Sequence, residues 1–363
     1  MSLNRRTFIK NTALLLGSSL FPYTNLYSIS GKKQLGVCLV ALGNYSSTVL
    51  APALQLTKHC RLTGIVTGTP SKIPIWQKKY GIPDKNVYSY NTMDRIADNP
   101  DIDVLYIVLP TGLHAKYAIK AANTGKHVWC EKPMAKTEEE CLSIIKACQK
   151  NKVKLSIGYR MQHEPNTQQI IKWATTKPYG NIKTVNAEIG YNVRNPAKSW
   201  RLDAKLGGGT MYDLGVYALN AARYATGEEP VSVIAEQMTT RPEIFTETDE
   251  TTHFTLEFPS GVIAHGKTSV GHDMHQLRID SDNGWYRLQP FSMYSGVQGE
   301  TSDGKLLNTY IENQQAKQMD DDALSILNNT DVLVPGEEGM RDIKIVEAIY
   351  KAAKNKSIIN LRK

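Results

Sequence analysis

Residues 126–136 read KHVWCEKPMAK. A strand-like run, His127-Val128-Trp129-Cys130, ends on a carboxylate, an ammonium and a proline. Charges resist burial and proline stops ladder pairing, so a buried strand gains no stability from finishing this way. Its neighbours say what kind of strand it is. From Gln34 to about Tyr159, apolar strands alternate with amphipathic helices. The pattern predicts strands over 35–40, 62–67, 104–109, 127–130 and 153–158, and helices over 47–56, 73–80, 114–124 and 137–151. Thr137 ahead of three glutamates reads as the N-cap of the last helix. Alternation with uniformly apolar strands implies a parallel sheet covered on both faces.

After residue 160 the pattern changes. Strands are predicted in succession over 182–191, 231–239, 251–258, 262–270, 276–281 and 285–288, with hairpin turns at PSG (259–261) and SDNG (281–284). One helix over 210–225 is set among them, and a final helix runs over 337–354. The expected α/β architecture is a Rossmann domain, a doubly wound parallel sheet, over 31–159. An α+β domain with a large, mostly antiparallel open sheet follows over 160–363.

The totals fit two domains. The chain has 363 residues, 41% hydrophobic and 21% charged, which suits a globular protein. No run of 18 apolar residues is present, so no ordinary membrane span is expected in the mature chain. The formal charge is +8, and Arg5, Arg6 and Lys10 contribute three of those charges. No dense Lys/Arg block with interleaved aromatics occurs, which argues against nucleic-acid binding and leaves a mild attraction for anionic ligands. Arg5-Arg6 followed by Phe8 and an apolar stretch, Ala13 to Phe21, reads as a twin-arginine export signal over residues 1–30. The expected location is the periplasm, reached after folding and cofactor loading in the cytoplasm. Five cysteines (38, 60, 130, 141 and 148) match no zinc spacing and read as buried free thiols.

Chemistry-bearing residues sit where the strands end. The first strand runs into VALGNYSS, a partial match to a dinucleotide turn in which Ala41 and Ser46 replace glycines and Gly43 remains. The second strand ends VTGTPSK without the carboxylate that usually holds the ribose of NAD. Thr67, Thr69, Ser71 and Lys72 suit a 2′-phosphate, favouring NADP over NAD; a polar turn without a ligand is the alternative. In GGGTMYDLGVY, Asp213 and Tyr217 are four apart on one helical face, and the glycines (207–209) are expected to let backbone approach a ligand. Tyrosine accepts a proton near neutral pH only where a cation favours the phenolate, and Lys132 is the candidate cation. A surface Asp–Tyr pair is the alternative.

The motifs EKPMA, GYR, WRLDAKLGGG, DLGVY and PGEEGM, in order along the chain, resemble the glucose–fructose oxidoreductase branch of the Gfo/Idh/MocA oxidoreductases. The resemblance runs from Leu35 to about Asn360. It implies that Glu131-Lys132-Pro133 lies at the carboxyl edge of the parallel sheet, with a cis Lys–Pro peptide aiming Lys132 at substrate. It implies Tyr217 as acid/base, Lys132 as the group orienting the sugar hydroxyl, and Asp213 as a substrate-binding or tuning carboxylate. Leu42, Gly43, Asn44 and Tyr45 match the diphosphate-side turn, and Thr67 and Lys72 the 2′-phosphate contacts. Pro110, His114 and Glu131 match the nicotinamide side, and Arg160, Trp200 and Arg201 match cofactor contacts near the active site.

The implied activity is NADP-dependent hydride transfer between nicotinamide and a sugar or polyol, in a homo-oligomer built through the C-terminal sheet. The branch carries a long proline-rich arm after its signal; here about five residues separate signal and first strand. Permanently bound cofactor and paired glucose–fructose chemistry are therefore not implied. Two alternatives stay open: NAD-dependent glycoside hydrolysis on the same fold, and a non-catalytic sugar or cofactor sensor.

Overall fold

The computed structural model describes residues 32–193 and 199–362. The twin-arginine stretch lies outside the described residues.

Six parallel strands form the first sheet: β1 (Leu35–Val40), β2 (Cys60–Val66), β3 (Val87–Tyr88), β4 (Val104–Ile107), β5 (His127–Cys130) and β6 (Leu155–Ile157). Their order is β3-β2-β1-β4-β5-β6. Every residue of β1 and β4 is buried, which explains their unbroken apolar sequence. The connections carry α1 (Ala51–Ala53), α2 (Ile73–Tyr80), α3 (His114–Ala122) and α4 (Glu138–Lys150). Thr137 caps α4, its side chain accepting from the Glu140 amide. The strand order reverses direction between β1 and β4, and an open α/β sheet binds ligands in the crevice at such a point.

Nine strands form the second sheet: β7 (Ile182–Gly190), β8 (Ser232–Met238), β9 (Thr251–Glu257), β10 (Ile263–Ser269), β11 (Met274–Ser281), β12 (Gly284–Leu288), β13 (Gly299–Thr301), β14 (Leu306–Leu307) and β15 (Ile359–Asn360). The order is β14-β13-β12-β11-β7-β10-β9-β8-β15. All neighbours are antiparallel except β7 and β10, which run parallel. The helices of this half are α5 (Pro165–Thr176), α6 (Val216–Thr226), α7 (Gln314–Leu327) and α8 (Gly336–Asn355). Buried throughout most of its length, α6 packs on β7, while α8 packs on β8 and also on α4 and β6. One apolar core therefore runs from the first sheet into the second.

Helices α5 and α7 have no counterpart in the sequence reading. Pro165 at the first helical position was the signal for α5. Glu164 caps it, accepting from the amides of Asn166 and Thr167. The five cysteines are free and buried, as expected.

Candidate functional site

The first strand ends in a tight turn. Ala41 adopts φ 83°, a left-handed conformation that favours glycine, and Ser46 Oγ donates to its carbonyl at 2.7 Å. Leu42 is buried, whereas Gly43 and Asn44 are exposed, and nothing lies within 4 Å of where a Gly43 Cβ would stand. Beside this turn is the end of β2. Thr67 is buried and its hydroxyl accepts from the Thr69 amide at 3.1 Å. Lys72 Nζ donates to the Leu42 carbonyl at 2.6 Å, so its ammonium bridges the two turns. Between residues 67 and 72 there are three hydroxyls and one ammonium and no carboxylate. That donor set fits a nucleotide phosphate, which charge-assisted bonds and exposed turn backbone would hold.

The charges at the end of β5 part company. Glu131 turns inward and is buried: Oε1 accepts from Tyr106 Oη at 2.6 Å, and Oε2 from the Lys132 amide at 3.2 Å. Burial raises its pKa, against the pull of Tyr106 and Lys132. Gly158 packs closely beside it, since a Cβ there would stand 2.9 Å from Oε1. Lys132 turns the other way, and the Lys132–Pro133 peptide is cis. Its Nζ donates to the Asp213 carbonyl at 2.6 Å, lies 3.8 Å from Asp213 Oδ1, and sits 4.7 Å from the centre of the Tyr217 ring.

Asp213 and Tyr217 thus meet Lys132, as the resemblance implied. Arg201 joins them, its Nε donating to Asp213 Oδ2 at 2.6 Å while its guanidinium covers Trp200 at 4.9 Å. Burial raises the Asp213 pKa, but Lys132 and Arg201 outweigh it and hold the carboxylate below its usual range. The Arg160 guanidinium stands 5.2 Å from the Tyr217 ring. It donates to the Ser292 and Met293 carbonyls and to Gln314 Oε1. Tyr217 therefore has a cation 4.7 Å and another 5.2 Å from its ring centre.

The glycines ahead of this helix are held close by neighbouring protein. A Cβ on Gly207 would stand 2.8 Å from Thr111, on Gly208 2.4 Å from the Arg201 carbonyl, and on Gly209 2.3 Å from Asp249 Oδ1. Each glycine thus allows a close approach of protein to protein. Asp249 explains the last contact: it accepts from the Met211 amide, from Thr252 and from Tyr350, fixing the start of the turn that carries Asp213.

Pro110 is half-buried at the end of β4. His114 is 1% exposed, with its ring nitrogens facing the carbonyls of Pro133 at 2.8 Å and Leu109 at 2.7 Å. Burial lowers its pKa, against those carbonyls. It braces two strand-end turns rather than opening onto the cleft. Tyr45 reaches across to the second half of the chain, accepting from Gln315 Nε2 at 3.4 Å and packing 6.0 Å from Tyr294. Sequence reasoning missed Tyr191, Tyr294, Gln314 and Gln315, which lie in no recognisable motif.

The profile described as "Oxidoreductase family, NAD-binding Rossmann fold" matches residues 35–159, and that of the GFO/IDH/MocA C-terminal domain matches residues 167–287. The chain belongs to the Gfo/Idh/MocA oxidoreductase family. Within that family it resembles the D-xylose 1-dehydrogenase [NADP(+)] of Haloarcula marismortui, 26% identical over 89% of this chain and 92% of the relative. It also resembles the scyllo-inositol 2-dehydrogenase (NADP(+)) of Bacillus subtilis, 25% identical over 92% of this chain and 98% of the relative. Among solved structures, aldose-aldose oxidoreductase from Caulobacter crescentus, complexed with glycerol, is 37% identical with a TM-score of 0.87. That match covers 90% of this Gfo/Idh/MocA chain and 100% of the other.

Proposed function

We propose that this enzyme is an NADP-dependent oxidoreductase that moves a hydride between nicotinamide and the carbon of a sugar or polyol hydroxyl. One observation carries the reading: the Lys132 ammonium lies over the Tyr217 ring while holding Asp213. Bound nicotinamide would supply the hydride acceptor or donor. The chain supplies the proton chemistry and the positioning. Tyr217 Oη takes the proton of the reacting hydroxyl in oxidation and returns it in reduction. Lys132, whose ammonium lies over the Tyr217 ring, orients that hydroxyl, and Asp213, kept ionised by Lys132 and Arg201, anchors a neighbouring hydroxyl. Acid–base help of this kind contributes about 10²–10⁴-fold.

Support for NADP is Lys72 beside three hydroxyls and no carboxylate, together with two relatives whose names specify NADP. Contacts to the nucleotide are assigned to Leu42, Gly43, Asn44, Tyr45, Thr67 and Lys72 at the phosphates, and to Pro110, Glu131, Arg160, Trp200 and Arg201 nearer the reacting end. The twin arginine supports export to the periplasm, and the open second sheet supports a homo-oligomer. The test is equilibrium titration with NADPH and NADH beside steady-state turnover on a panel of aldoses and polyols. Lys72→Ala should weaken NADPH about 10- to 100-fold, the loss of one charge-assisted contact, and leave NADH nearly unchanged. Equal affinity of the unmutated protein for both nucleotides would overturn the cofactor assignment, and no turnover of any sugar or polyol would overturn the reaction.

A further inference from the structure

Tyr294 lies on the segment between β12 and β13, which carries no motif. The segment is pinned from inside. Phe291 and Ser292 are buried, and Arg160 holds the carbonyls of Ser292 and Met293. Gln314 Nε2 adds a third bond, to the Met293 carbonyl at 3.0 Å. Those anchors leave the Tyr294 side chain 49% exposed.

Its position is set by the reacting groups. The Arg160 guanidinium stands between two rings, 5.2 Å from Tyr217 and 4.7 Å from Tyr294. One guanidinium therefore separates Tyr294 from the proposed acid/base. Burial, then the neighbouring Tyr217, push the Tyr294 phenol up; Arg160 opposes, and Glu131 and Asp213 add to the push. It stays a neutral phenol, able to give or take a hydrogen bond and unable to act as a base at working pH. Tyr191, just past β7, extends the same wall: its hydroxyl faces Met293 Sδ at 3.7 Å, and burial likewise keeps it neutral.

We propose that Tyr294 is a specificity-determining residue whose ring forms the wall on which the carbon chain of the substrate stacks. The proposal rests on the sugar-oxidoreductase reading above. A sugar presents C–H faces as well as hydroxyls. Lys132, Asp213 and Tyr217 answer the hydroxyls, and Tyr294 supplies the apolar face they lack. Tyrosine offers a ring and a polar tip together, and small-ligand sites combine aromatic walls with a few placed polar groups. Which sugars bind then depends on how flat a C–H face they turn toward Tyr294.

The competing role is a brace for Tyr45, whose ring lies 6.0 Å away. The experiment separates the two with Tyr294→Ala and Tyr294→Phe, measuring kcat and KM on several sugars and NADPH affinity by fluorescence titration. Tyr294→Ala should raise KM for the best sugar about tenfold, keep kcat within about threefold, and reorder the panel. Tyr294→Phe should keep KM within about threefold, because the stacking face remains. NADPH affinity should stay within about twofold for both variants, the spread of one weak contact. Unchanged KM values, or a KM rise matched by an equal loss of NADPH affinity, would overturn the proposal and leave the oxidoreductase reading standing. Failure of the unmutated enzyme to turn over any sugar or polyol would sink both.

Discussion

Lys132 carries contacts to a backbone oxygen, a carboxylate and an aromatic face at once, so its removal should be felt through its partners. Tyr217→Phe keeps the ring between its two cations and deletes the proton site. Turnover should fall about 10²-fold or more with NADPH binding nearly unchanged. Lys132→Met should also reduce turnover, and the double variant should be far less than multiplicatively worse, because the two residues act as one unit. Near-normal steady-state turnover in Tyr217→Phe would remove the acid/base role. Ala41 offers a stability test at the same scale. Its φ of 83° costs an L-residue about 1–2 kcal/mol, and glycine gives back part of that as chain entropy. Ala41→Gly should stabilise the fold by up to about 1 kcal/mol in urea denaturation, and a loss of stability would contradict the strain. At this scale the sequence was a fair guide. It brought out Lys132, Asp213 and Tyr217, whose motifs are local, and missed Tyr294, whose place depends on Arg160 more than a hundred positions away in the chain.

Helix α7 shows why a whole element can escape a sequence reading. Half of its docking face is polar: Gln314 meets Arg160, Gln315 meets Tyr45, Gln318 meets Tyr106, and Asp322 accepts from Ser156 Oγ at 2.7 Å. The apolar stripe on this helix is thin, Ala316, Met319, Ala323 and Ile326, and glutamines and an aspartate are buried alongside it, which weakens the periodic signal. The longer strands of both sheets, by contrast, were legible because their burial is written in apolar residues; the two- and three-residue strands β3, β13, β14 and β15 and the parallel pairing of β7 with β10 were not. The buried Asp322 has a consequence for pH. Burial pushes its pKa up to about 6, while the nearby His163 and its Ser156 bond oppose the rise. An unfolded aspartate titrates near 4, so between about pH 4 and 6 the folded state binds more protons and stability falls as pH rises. The stability from the protonated form is complete below about pH 4 and gone above about pH 6. The full swing is on the order of 3 kcal/mol for one such group. Asp322→Asn should therefore flatten the decline of Tm between pH 4.5 and 7, seen by circular dichroism. An unchanged slope would place the proton uptake elsewhere, with Asp342, also pushed up to about 6 by burial against the pull of Arg223, as the next site.

Across the molecule, α8 packs on both sheets and α6 is tied to it through one buried arginine. Arg223 donates to Glu338 at 2.8 Å and to Asp342 at 2.6 Å, and also bonds Glu229. The helix bearing Tyr217 is thereby fixed to the helix that packs beside β6, which keeps the two sides of the cleft in register. The proposed cofactor turns and the proposed acid/base group arrive from opposite halves of the chain, so that site requires both halves to be folded together. That requirement agrees with the twin-arginine reading, since that route carries folded cargo. Replacing Arg5 and Arg6 by lysine should leave the protein in the cytoplasm, checked by fractionation. Arrival in the periplasm of a strain lacking that translocase would remove the export assignment.

The five buried thiols take on a meaning outside the cytoplasm. Burial raises all five, pushing Cys60 and Cys148 up to about 12, so thiolate is scarce and oxidant has no access. The native fold is the only shield they have. A chain that unfolded in an oxidising compartment would expose an odd number of reactive sulfurs, and mismatched cross-links would close the way back. In a periplasmic location, loss of structure would be a one-way exit, and the working lifetime would be set by the unfolding rate rather than by the folding equilibrium. Ellman's reagent should find no fast-reacting thiol in the native protein and five in guanidinium. Refolding yield should be high with reductant present and should fall steeply without it.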